Sequence, residues 1–243
     1  YWPQMNWPVL LNTETRDFAW PGLDVRASRV GAGERERLSW SECLLRAISA
    51  IRTPLLLYVQ EDYFLDQPVD DAKVRAAVQI MLDDPELAHI GLTKHGSHGP
   101  FVPSAHEGFG VIAQNARYRI STPAGLWRPA ALASYLRPAE NGWMFEIFGT
   151  WRAHRDPRLF LTVLCDPPRV PAPIDYVHTG IIKGQWHEKM PELFGTHDLP
   201  LDFARRGIYV PAPAALQKWG VGRKLMQNPG YALRQIADRF LRL

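Results

Sequence analysis

The chain has 243 residues, 46% hydrophobic and 22% charged, with a formal net charge of +3. That length suits one large domain or a domain with an appendage, and the composition excludes a disordered or low-complexity polymer. There is no basic block or zinc-finger spacing to mark a nucleic-acid binder, no apolar run near the ~20 residues of a membrane span, and no opening pattern that reads as a signal peptide. Cys43 and Cys165 sit in apolar surroundings and read as free thiols in a reducing, cytoplasmic setting.

In chain order, residues 8–12 (PVLLN) read as a short strand and residues 23–30 as a second. Ser39 stands three residues before Glu42, the capping-box spacing, and Leu44, Leu45, Ile48 and Ile51 give the helix that follows an apolar face. Thr53-Pro54 ends it. Residues 55–59 (LLLYV) form an uninterrupted apolar run, expected as a central strand covered on both faces. Residues 69–83 carry Val74, Ala77, Val78 and Met81 at helical spacing, and residues 87–92 read as a strand. Strands and helices therefore alternate through the first hundred residues, which predicts an α/β fold with a mostly parallel sheet.

Residues 94–107, rich in Gly, Ser, Pro and His, read as a loop, and residues 109–112 and 117–121 as a hairpin. Helices are expected at 127–136 and 141–154 and a strand at 159–164. Prolines dominate 166–173, and 196–213 is loop-like. Residues 222–243 combine leucines and aromatics with Arg223, Lys224, Arg234, Arg239 and Arg242, a basic amphipathic helix broken near Pro229-Gly230. Such a helix suits peripheral contact with an anionic membrane on the cytoplasmic face.

The apolar run at 55–59 leads straight into Gln60-Glu61-Asp62. Unpaired carboxylates inside a sheet are costly, so the two acids belong where the strand ends, the place where ligands gather in open α/β sheets. Two acids at such a rim can hold a hard cation through oxygen ligands.

The stretch LLLYVQEDYFLDQPVD resembles the strand and acidic motif of bacterial GT-A-fold nucleotide-sugar glycosyltransferases of surface-polysaccharide and lipopolysaccharide clusters, and the resemblance extends over most of residues 1–190. It implies a GT-A-like (Rossmann-like), mostly parallel central sheet flanked by helices, with a mixed acceptor-side half and a first strand absent ahead of Tyr1. It divides the chain into a donor half (1–108), an acceptor and catalytic half (109–195), and a Pro-rich linker with the basic helix (196–243). Asp62 is implied as a ligand of Mn²⁺ or Mg²⁺, completed by His178, with His187 nearly as well placed. Glu61 would contact ribose, sugar or a metal water. Because the chain reads Glu61-Asp62-Tyr63 where the family has Asp-X-Asp, position 63 departs from the pattern. Asn12, Thr13 and Glu14, at the end of LLNTE, would contact the base or ribose. Ser39 and Trp40 belong to the SWSECLLRAI segment, which resembles the donor-side helix. Lys183, in TGIIKGQW, would reach the diphosphate.

Transfer also needs a base for the acceptor hydroxyl. The segments GLWRPAALASYL and PAENGWMFE resemble the part of these enzymes that presents the acceptor. They imply Glu140 first and Glu146 second as base, with Trp127, Arg128 and Trp143 against the acceptor. The expected activity is transfer from a nucleotide sugar to a hydroxyl of a glycan or lipid-linked glycan, leaning to inversion. Two rivals stand beside it. One is a non-catalytic carbohydrate-binding subunit. The other is a zinc hydrolase built on His89, His95, His98, His106 and Glu107, although no HExxH or Cys pair supports it.

Overall fold

In a computed structural model, described for residues 1–166, 169–177, 179–211 and 229–241 (side chains to 237), the chain forms two compact units, Tyr1–His178 and Thr179–Leu243. The first unit holds a parallel pair, β1 (Val9–Leu11) with β2 (Val25–Ala27), and a six-stranded sheet. That sheet has β3 (Leu56–Tyr58), β4 (Leu87–Gly91), β5 (Phe101–Pro103), β6 (Phe109–Ile112), β7 (Gly125–Trp127) and β8 (Leu159–Val163), in the order β3-β7-β4-β8-β6-β5. Only β4 with β8 is parallel; the pairings β3–β7, β4–β7, β6–β8 and β5–β6 are antiparallel.

The expectation of a mostly parallel, Rossmann-like sheet is therefore corrected: the central sheet is mixed. The strands β3 and β4, joined through helix α2 (Asp71–Asp83), do point the same way, as a crossover helix requires. They are not neighbours, because β7 runs between them in the opposite sense. Trp127, expected to open the helix at 127–136, is instead the last residue of β7, and that helix begins at Pro129. The run at 55–59 is likewise not central: β3 lies at the end of the strand order. Residues 117–121 form no strand, and β6 pairs instead with β5, inside the stretch expected to be loop.

Helix α1 (Trp40–Ser49) begins with the expected capping box, Glu42 N–H donating to Ser39 Oγ at 3.0 Å and Ser39 N–H to Glu42 Oε2 at 2.9 Å. Its Leu44 and Ile48 share a core with Trp127, Phe145, Phe160 and Leu132 of α3 (Pro129–Tyr135). Val74, Ala77 and Met81 of α2 share the other core with Ile90, Leu126 and Leu161. Successive strand residues point to opposite faces, so Leu126 and Trp127 of one strand enter different cores and the sheet is covered on both sides. The helix expected at 141–154 is built of α4 (Gly142–Met144), a π-helical turn (Phe145–Gly149) and α5 (Thr150–Ala153).

In the second unit, β9 (Ile181–Ile182) and β10 (Gln185–Trp186) form a hairpin. Its two-residue turn is Lys183-Gly184, with φ of 50° and 85°, the positive values that a tight hairpin turn demands. Trp186 packs edge-on against Phe203, next to Phe194 of α6 (Met190–Gly195). Helix α7 (Pro229–Leu241) realises part of the expected basic helix, with Arg234 exposed. Arg223, Lys224 and Arg242, and the side chain of Arg239, lie outside the described residues. Among the described residues no helix is long and apolar enough to cross a membrane.

His89 sits in the core of the first unit, 2% exposed, its ring 4.1 Å from that of Trp127 and 6.1 Å from that of Phe160. Its Nδ1 lies 2.9 Å from the Leu126 carbonyl, an acceptor only, so Nδ1 carries the proton. The ring borders a polar cavity of about 10 Å³, the size of one water, along with Ser121 and Thr162. Gly125 makes room for it: a Cβ there would collide with His89 Cε1.

Burial pulls the His89 pKa down to about 3. Below the usual histidine value of about 6.5 the unfolded chain takes up a proton that the folded chain refuses until about pH 3, so this contribution to stability falls as pH falls through that window. The slope is on the order of 1 kcal/mol per pH unit. Urea melts at pH 7 and pH 4 should show a larger acid loss for the wild type than for His89→Gln; equal losses would contradict the assignment.

Candidate functional site

Because β7 runs against both neighbours, the residues leading into it lie at the same rim as those leaving β3 and β4. Leu92 N–H, just past β4, donates to the Ala124 carbonyl at 3.0 Å. The segment 174–176 joins the same rim. Ile174 N–H donates to the Leu92 carbonyl at 3.1 Å, and the Ala124 N–H donates to the Tyr176 hydroxyl oxygen at 3.1 Å. Leu65, downstream of the acidic turn, bridges to Tyr176, and the rings of Tyr63 and Tyr176 stack at 4.8 Å with planes 11° apart. His95 lies against the same Tyr176 ring at 5.4 Å.

The helix at 142–153 is fastened to this rim at two points. Thr150 Oγ1 accepts from Ile120 N–H at 3.1 Å and donates to the Ile120 carbonyl at 3.2 Å. One turn earlier, a single oxygen of Glu146, Oε1, accepts from both the backbone N–H and the hydroxyl of Thr122, each at 2.7 Å. Glu146 lies in the π-helical turn, a distortion that often re-aims a side chain at a working site. It is half-buried.

Glu146 faces the turn after β3. Burial first, then the charges of Glu146 and Asp62, push the Tyr63 phenol up to about 12. Burial, followed by Glu61, Tyr63 and Glu146, pushes up the Tyr58 phenol, while its hydrogen bond to Gln60 opposes the shift. The turn that carries Glu61 and Asp62 thus lies near the same two tyrosines as Glu146, which Thr122 joins to the segment leading into β7. Glu61 is exposed and Asp62 half-buried. Lys94, at the exit of β4, is paired with Asp175 at 2.6 Å.

Of the residues singled out from the sequence, Glu61, Asp62 and Glu146 are brought together. Glu140 is not at this rim surface. It is fully buried, and both its oxygens are held by Arg152 at 2.8 and 2.6 Å, a bidentate pair that also ties Arg152 to the Tyr135 carbonyl. A carboxylate so enclosed has no approach for an acceptor hydroxyl. Trp127 is wholly buried among Tyr135, Phe160 and His89, so its faces are covered by protein. Arg128 lies at the far end of β7, donating to the carbonyls of Leu87 at 2.8 Å and Asp84 at 2.9 Å, where it caps the end of α2. Trp143 is half-buried in α4.

Ser39 is engaged in the capping box of α1, and Trp40 packs on Phe145 at 5.6 Å. Asn12, Thr13 and Glu14 organise the link between β1 and β2. Asn12 accepts from Ser28, Thr13 donates to the Arg16 carbonyl, and Glu14 pairs with Arg37 at 3.1 Å. Lys183 belongs to the second unit, in its hairpin turn, 5.5 Å from the Tyr209 ring. His187, also in that unit, accepts from Lys189 N–H. His178 lies outside the described residues.

The expected Mn²⁺ or Mg²⁺ site is corrected. Among the described residues no group of three His, Cys, Asp or Glu side chains is placed to hold a metal ion. The same finding removes the zinc rival: His89 is in the core, His95 lies on Tyr176, and His98 meets Tyr118 edge-on. Tyr63, Thr122 and Tyr176 were not singled out from the sequence as site residues. Only the spacing of Tyr63, one residue past Asp62, pointed to its neighbourhood. No family model, no curated protein and no solved structure matches this chain.

Glu140→Gln should lower stability by about 3 kcal/mol, because it strands Arg152 in a largely buried setting. Thermal melts check this. Activity per folded molecule should persist, which separates a structural acid from a base.

Proposed function

We propose that the chain transfers a glycosyl group from a nucleotide-activated sugar to a hydroxyl group of a glycan or glycolipid, with Glu146 as the base. The observation that carries this reading is the placement of the Glu146 carboxylate, anchored through one oxygen by Thr122 beside the acidic turn that follows β3.

The chemistry follows from the groups at the rim. Glu146 takes the proton of the acceptor hydroxyl through its second oxygen. The acceptor oxygen forms a bond to the anomeric carbon as the bond from that carbon to the donor phosphate breaks, and the nucleoside phosphate or diphosphate leaves with the electron pair. The carbon passes through an oxocarbenium-like state, and the negative charges of Glu61 and Asp62 favour the positive charge that develops there. The same carboxylates accept hydrogen bonds from sugar hydroxyls. A single displacement with one base inverts the anomeric centre.

A panel of UDP-, GDP-, dTDP- and CMP-sugars with hydroxyl acceptors, read by nucleotide release, tests the reading. At least one donor should turn over, and Glu146→Gln should reduce kcat by about 10²–10⁴-fold without changing the melting profile. Asp62→Asn should weaken turnover as well. Full activity in Glu146→Gln would refute the assignment, and calorimetric binding without release would identify a carbohydrate-binding subunit instead.

A further inference from the structure

Thr122 has one hydroxyl proton and its own backbone N–H, and both go to Glu146 Oε1. An ionised carboxylate only accepts, so the hydroxyl proton is committed. The two donors thus tie the segment leading into β7 to the π-helical turn. Tyr63 of the acidic turn is fastened to the same segment through Tyr176, on which its ring stacks at 4.8 Å and whose hydroxyl accepts from Ala124 N–H at 3.1 Å.

The segment that carries Thr122 is held from outside this contact. Pro123 follows Thr122 and confines its backbone to extended conformations, which fixes the direction of the Thr122 N–H. Ile120, two residues earlier, is bonded twice to Thr150. Ala124, two residues later, is bonded to the Tyr176 hydroxyl, and the Tyr176 ring in turn stacks on Tyr63. Thr122 itself is 5% exposed.

We propose that Thr122 is a positioning residue for the transfer reaction, one that orients the Glu146 carboxylate at the rim. This rests on Glu146 being the base. Two donors converging on Oε1 stop the carboxylate from rotating and leave Oε2 as the oxygen presented to the acceptor hydroxyl. The threonine does not touch the reacting atoms. Its effect belongs to orientation, where a misplacement of about 1 Å costs about a hundredfold in rate.

Two measurements test the proposal on the full chain. The first needs no substrate. In a double-mutant cycle read by urea melts, Thr122→Val, which keeps the branched shape and removes the hydroxyl, and Glu146→Ala should each lower stability, and the double variant should lose less than the sum of the two. The second is nucleotide release with the donor that the panel identifies. Thr122→Val should lose about a hundredfold in kcat with little change in the donor KM, and Thr122→Ser should recover most of it. Additive losses in the cycle overturn the Thr122–Glu146 contact. A loss that falls on KM, or a serine variant no better than valine, overturns the positioning role and leaves a space-filling side chain. A wild type inactive on every donor refutes the transferase reading and with it the role in transfer, while the cycle still decides whether Thr122 holds Glu146.

Discussion

The arrangement of the first unit depends on one strand running the wrong way. Strand β7 lies between β3 and β4 and opposes both. In a sheet whose strands all run parallel, one rim collects only the segments that leave strands. Here the rim also receives a segment that leads into one, residues 119–124, and that segment carries Thr122 to within 2.7 Å of Glu146. Reversing β7 would place Arg128 at this rim and Thr122 at the far end. The pair of hydrogen bonds between Thr150 and Ile120 then fixes the depth at which the helix at 142–153 meets the sheet, and so fixes Glu146 relative to the acidic turn.

The two acids at 140 and 146 show how fine the local control is. They stand six residues apart, and both flank aromatic or apolar positions. Glu140 precedes α4 and is turned inward, where Arg152 from the following helix neutralises it. Burial of that pair is tolerable because both carboxylate oxygens are occupied and Arg152 has a further acceptor in the Tyr135 carbonyl. Glu146 falls in the π-helical turn, where the altered spacing moves the side chain toward the rim. The same sequence thus makes one acid a buried structural tie and holds the other half-buried at the rim.

Much of the first unit was legible as elements. The capping box at Ser39-Glu42, the apolar face of α2, the strands at 87–91 and 159–163 and the acidic exit of β3 all follow from local rules, because each is decided by residues within a turn or two. What was not legible is decided at long range. Residues 125–127 contain a glycine and begin two residues after a proline, so local chemistry argues for a turn, and only pairing with β3 and β4 makes them a strand. The ranking of Glu140 above Glu146 was misled in the same way: a helix-start acid looks accessible until Arg152, twelve residues on, covers it. The residues of the site that escaped notice, Thr122 and Tyr176, carry no motif and owe their place entirely to the strand order. The turn at Lys183-Gly184 carries the converse lesson, since two positive φ values are explained by the hairpin itself.

Gly125 and His89 have a consequence for how this core could have arisen. The imidazole is wedged between Trp127 and Phe160 and cannot swing aside, and the missing side chain at 125 is the space it fills. Adding even a methyl at 125 first is disallowed while the ring is there, whereas shrinking residue 89 first would open a void against two large aromatics. Neither single step is neutral, so the two positions must change together or in one permitted order. Lineages descended from this core should inherit the pair as a unit, and chimeras that mix the two strands from different ancestors should fail at that junction before anywhere else.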